Sequence, residues 1–171
     1  MIRTLRRRSR VRQFGRDESG ATAIEFAFVA PVLFFALLSL VEMGMLGMMI
    51  TSVDAAVLDA SRRIRTGRDD AAVSAQTFED QVCANMGGNL QTCRTRMITS
   101  VKKYSRFTDA NAVAAAPPDN TFDKGGAGDI IIVKVHYSWP LLTPFLGTME
   151  HDGPTSVLIG ARQAFKNEPF E

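Results

Sequence analysis

The chain has 171 residues, 46% of them apolar and 22% charged, with a formal net charge of +2. The charge is uneven: residues 1–20 hold seven arginines against Asp17 and Glu18, a net +5, which leaves −3 on the remaining 151 residues. Such a distribution excludes a nucleic-acid-binding body, because the basic charge sits in one terminal tail, and this apolar content argues against intrinsic disorder.

In chain order, the basic leader (1–20) is followed by ATAIEFAFVAPVLFFALLSLVEMGMLGMMI, residues 21–50, in which only Glu25 and Glu42 are charged. The uncharged block Phe26–Val41 covers about 24 Å as a helix, somewhat less than a hydrocarbon core of about 30 Å, and the apolar character continues to Val53. The segment 21–53 therefore reads as a transmembrane helix. Seven arginines before it, and only Arg62, Arg63, Arg65 and Arg68 at a distance after it, predict a cytoplasmic N-terminus with the rest of the chain exported. A cleaved secretory signal would have a shorter apolar run and a small-x-small site, neither of which is present.

Pro31 lies inside the run, where a lipid-embedded helix tolerates it. Glu42, seventeen residues after Glu25, fits the opposite edge of the bilayer. Met43, Met45, Met48 and Met49 with Gly44 and Gly47 read either as lipid-facing filler or as an adaptable packing surface. Beyond the membrane, residues 54–68 continue a helical pattern with an Asp59–Arg63 pair at i,i+4, and Thr66-Gly67 is a stop signal. This segment is expected to form a stalk.

Residues 69–171 are expected to form a periplasmic α+β domain. Asp69-Asp70 can cap a second helix whose one face carries Ala71, Ala75, Phe78, Val82 and Met86, ended by Gly87-Gly88-Asn89. Cys83 and Cys93 are the only cysteines, and in an exported domain such a pair predicts a disulfide. It would tie the second helix to the start of the first strand. Three strands follow, at 95–104, 130–139 and 157–165. Lys102 and Lys103 mark the first as an edge, and Lys134 and His136 are expected to point outward from the second. The connection 112–128 reads as a long loop. A small antiparallel sheet laid against an N-terminal helix is a pilin-like α+β architecture.

No catalysis is expected. Gly125-Gly126-Ala127-Gly128 leads into a strand rather than a helix, so it is not a phosphate loop. Neither His136 nor His151 has a partner in metal-ligand spacing, and no nucleophile motif is present. No cofactor, metal or small-molecule substrate is implied.

The junction is the most informative stretch. Gly20 is followed by Ala21 and, at the fifth position after it, by Glu25, a carboxylate at the mouth of an apolar helix. Such a group defaults to a functional role. Cleavage after Gly20 would create a positive α-amine about one helical turn from Glu25. The arrangement resembles the signal of type IVb and Flp prepilins, and ESGATAIEFAFVAPVLFFALLSLVEMG is similar to the start of TadE-like minor pseudopilins of the tight-adherence system. The stretches 126–144 and 161–170 are also similar to TadE-like segments. The resemblance implies cleavage by prepilin peptidase between Gly20 and Ala21, with Glu25 as the assembly glutamate. It further implies a subunit in the inner membrane whose partners are lipid, other pilin or pseudopilin subunits and the pilus assembly platform. The domain after the helix is far larger than in the short Flp major pilins, which favours a minor subunit. The alternative is an uncleaved single-pass anchor that presents a periplasmic binding or sensory domain.

Overall fold

The computed structural model describes residues 20–106, 108, 116–142 and 155–169. Residues 1–19 of the basic leader, residues 112–115 of the 112–128 connection and His151 fall outside these residues. The order is α1 (Ala21–Arg65), α2 (Ala75–Met86), α3 (Leu90–Arg94), β1 (Met97–Tyr104), β2 (Ile130–Pro140) and β3 (Ser156–Lys166). The chain divides into two compact units, Met1–Val41 and Glu42–Glu171, with the division inside α1.

Helix α1 runs 45 residues, about 68 Å at 1.5 Å per residue, and continues through Pro31. In the first unit its large apolar side chains, from Ile24 through Val41, are exposed. The hydroxyl of Ser39 donates to the Phe35 carbonyl one turn earlier and so needs no outside partner.

In the second unit α1 acquires a buried face. Glu42, Leu46, Val53, Ala56, Val57, Ala60, Ser61 and Ile64 are buried and Met49 is partly so, at the 3- and 4-residue spacing of one helical stripe. This stripe shares one core with Phe78, Val82 and Cys83 of α2 and with the inner face of the sheet. The sheet is antiparallel in the order β1-β2-β3, with Val101 opposite Val133 and Val135 opposite Ala161. Ile131, Val133, Val135 and Tyr137 supply its buried centre, with Val157, Ile159 and Ala161 beside them and Trp139 and Phe165 at the margin. The α+β architecture is therefore present; burial alternates along the first half of β3, whereas β2 is buried without a break from Ile131 to Val135.

Several local expectations are corrected. Asp69-Asp70 does not cap α2; the helix starts at Ala75, where the Ser74 hydroxyl accepts the Thr77 N–H and the Thr77 hydroxyl accepts the Ser74 N–H. Asp70 is instead held by Arg63 and Arg68, at 3.0 and 2.8 Å. Gly87 ends α2 in the left-handed region (φ 74°), but Asn89 then caps the short helix α3 by accepting the Thr92 N–H. The Cys83–Cys93 disulfide, with a Cα separation of 5.9 Å, therefore ties α2 to α3 rather than to a strand.

Lys134 does not point into solvent. It is buried on the outer face of the sheet, and its Nζ donates to the Ala116 carbonyl at 2.9 Å. Burial lowers its pKa, reinforced by Arg162 and Lys102 nearby. The segment that covers it is pinned by Asp119, which accepts from Ser100 and pairs with Lys102. Lys102, followed by Thr121, holds the Asp119 carboxyl well below the usual carboxylate range. The edge role of β1 stands, because it is terminal in the sheet, although Val101 also exchanges backbone hydrogen bonds with Thr121 and Asp123.

Candidate functional site

Gly20 is exposed at the head of α1, with nothing within 4 Å of the position a Cβ would occupy. Its φ lies outside the left-handed region. Neither packing nor backbone conformation among the described residues requires glycine there. Gly125 is the contrast: its φ is 63°, and a Cβ would come within 2.9 Å of Asp129 Oδ2 and Ile131 Cδ1. The fold needs Gly125; it does not need Gly20.

Ala21 is the first residue of α1, and Glu25 follows it by four positions, about 6 Å along the axis. Both are exposed, and among the described residues the Glu25 carboxylate has no hydrogen-bond or ion-pair partner. No acidic residue occupies the first turn of α1, so Glu25 is the first carboxylate after Gly20. The side chains around it, Ile24, Phe26, Phe28 and Val29, are all large, apolar and exposed. An ionised group in that setting is favourable only beside water or an opposite charge.

Glu42, the carboxylate expected at the opposite edge of the bilayer, faces protein rather than solvent. It is 3% exposed, turned onto the second unit, and its carboxylate accepts the backbone N–H of Leu142 beyond the end of β2. Sequence alone could not separate these outcomes, because a carboxylate seventeen residues along an apolar helix reads the same whether it faces headgroups or protein.

Farther along α1, Asp59 accepts from Arg63 at 2.9 Å and from Asn85 of α2 at 3.0 Å, so the expected i,i+4 pair also anchors α2. Arg63, then Asn85, lowers the Asp59 pKa. At the end of α1, Arg65 pairs with Glu168, and its carbonyl accepts the Glu168 N–H at 2.9 Å. These contacts carry structure rather than chemistry.

The glycine-rich stretch before β2 is likewise structural. Three of its amides are engaged within the fold: Gly125 N–H donates to Asp123, Gly126 N–H to Asp129 and Gly128 N–H to the Asn167 carbonyl. The buried Asn167 amide returns hydrogen bonds to the Lys124 and Gly126 carbonyls.

A long apolar N-terminal helix that fits a membrane anchor, joined to a small α+β domain, defines the class of protein. Within that class, a protein-family model described as TadE-like protein matches residues 20–62, the segment that holds the Gly20–Glu25 junction. The match starts at Gly20 and ends within α1, so the stretches 126–144 and 161–170 lie outside it. No curated protein matches the chain, and no solved structure does.

Proposed function

We propose that the chain is a minor pseudopilin of a Tad (Flp-type) pilus, held in the inner membrane with its N-terminus in the cytoplasm and its α+β domain in the periplasm. Prepilin peptidase cuts it between Gly20 and Ala21, and the mature protein acts in pilus assembly and adherence together with other pilin-like subunits and the assembly platform. The observation that carries this reading is the order Gly20, Ala21, Glu25 at the head of a 45-residue helix, with the TadE-like match beginning at the same glycine.

Chemical considerations support each part. A glycine with no conformational or packing task in the fold fits recognition from outside, in a peptidase site that admits no side chain before the scissile bond. Cleavage would leave the Ala21 α-amine positive at neutral pH, one turn from Glu25. On a neighbouring subunit offset along the helix axis, that amine would neutralise a carboxylate which otherwise lies among exposed apolar side chains. In low dielectric such a pair favours the staggered partner over others. The protein's work is then structural, with no reaction of its own.

N-terminal sequencing and intact mass of the protein from its native membrane test the proposal. A start at Ala21 is expected, with the uncut chain accumulating when Gly20 is replaced by leucine or when the peptidase is removed. Glu25→Gln should leave cleavage intact and abolish or sharply reduce pilus formation. An intact leader in otherwise functional protein overturns the processing claim.

A further inference from the structure

We propose that the α+β domain does not stand clear of the membrane but is seated in its surface, with a collar formed by Met43, Met45, Met48 and Ile50 of α1 and by Leu142 embedded at the bilayer interface. The proposal rests on the membrane-anchor reading of α1 and adds to it where the anchor ends.

A helical span needs about 20 apolar residues to cross a hydrocarbon core of about 30 Å. Counted from Phe26, the first residue after Glu25, such a span ends at Met45 rather than at Val41. The headgroup zone adds about 6 Å on each side, or about four more residues, which reaches Met49. The compact second unit already begins at Glu42, so the start of the domain and the end of the span occupy the same stretch of α1.

The surface there is suited to lipid. Around α1 from Met43 to Ile50, the side chains outside the buried stripe are Met43, Met45, Met48 and Ile50, with Gly44 and Gly47 between them. The first exposed charge is Asp54. Thr51 hides its hydroxyl by donating to the Met48 carbonyl at 2.8 Å. Leu142, 84% exposed, is brought to the level of Glu42 by the hydrogen bond from its N–H to that carboxylate. The one ionisable group between Glu25 and Asp54 is thus turned onto the domain, where a lipid-facing carboxylate would be costly. Methionine, flexible and polarizable, suits an irregular lipid boundary. Exposed apolar surface gathered at this end of the domain favours lipid over water as its cover.

Single cysteines test this, because the native pair is consumed in the disulfide and leaves an added thiol as the only one to label. Phe34→Cys, Met48→Cys, Leu142→Cys and Lys124→Cys would each carry an environment-sensitive fluorophore in full-length protein in phosphatidylcholine–phosphatidylglycerol vesicles. Nitroxide lipids of graded depth and a water-soluble quencher then report position. The expected pattern is deep lipid quenching at 34, several-fold stronger shallow-lipid than aqueous quenching at 48 and 142, and the reverse at 124. If 48 and 142 behave like 124 while 34 remains deep, the collar lies in water and this proposal fails although the anchor stands. Aqueous access at 34 as well would defeat the anchor reading itself. Protection of 48 and 142 from both quenchers, with disulfide-linked dimers through Met48→Cys, would assign the collar to a second copy and overturn the lipid assignment.

Discussion

Reduction of the Cys83–Cys93 bridge should weaken the domain by a calculable amount. The two cysteines are ten positions apart and buried in the core, at 0% and 5% exposure, so reducing them removes the cross-link while leaving both sulfurs in place. Closing a loop of that length removes about 9 cal/mol/K of chain entropy from the unfolded state, or about 2.7 kcal/mol at 25 °C. Against a domain stability of about 5–15 kcal/mol this is a substantial fraction. With a urea slope of about 1–3 kcal/mol/M, the midpoint should fall by about 1–3 M on reduction. The protein's single tryptophan, Trp139 at the margin of the core, supplies the signal for urea titrations in detergent with and without reductant. Because the cross-link acts on the unfolded chain, the slope should rise slightly in the reduced protein. An unchanged midpoint after complete reduction would refute this reasoning and imply that α2 and α3 are held together by packing alone.

Two further outcomes follow from burial and charge. Phe78→Ala removes a side chain with no exposed area from the centre of the core and should cost about 3–5 kcal/mol. Phe28→Ala, in the exposed part of α1, should leave domain unfolding unchanged, and equal effects in a thermal melt would contradict the assignment of the core. Glu79 has its pKa raised, chiefly by burial. In acid, both folded and unfolded states hold the proton and nothing is lost. As pH rises, the unfolded state ionises first, so stability falls through this window and the cost is complete above the folded pKa. Glu79→Gln should therefore raise Tm at neutral pH and make no difference well below the carboxylate range; a Tm gain that persists in acid would point to packing instead.

Much of the anchor was legible from composition because its physics is local. An apolar run with one interior carboxylate, a basic tail and the Gly20–Glu25 spacing need no tertiary contact to be recognised, and the TadE-like match over 20–62 rests on the same residues. The strand at 130–139 and the cysteine pair were readable for similar reasons: a run of β-branched residues and a cysteine count are properties of short stretches. Where sequence reading went astray, competing local options were decided by distant partners. Asp70 is as good a cap as Ser74 until Arg63 and Arg68 claim its carboxylate. Asn89 looks like part of a turn until Thr92 donates to it.

Sequence by itself determined that this protein has a long apolar helix with an acidic residue near its head, followed by a disulfide-bearing α+β domain, because hydropathy, periodicity and cysteine count are summed along the chain. Only the tertiary structure decided which way the charged groups on apolar elements face. Lys134, predicted to be solvated, is covered by the segment that ends in a carbonyl at Ala116. Glu42, read as an edge marker, is satisfied by the amide of a residue 100 positions away. A buried ionisable group requires a partner of matching geometry, and in both cases that partner comes from a part of the chain that no local pattern connects to it.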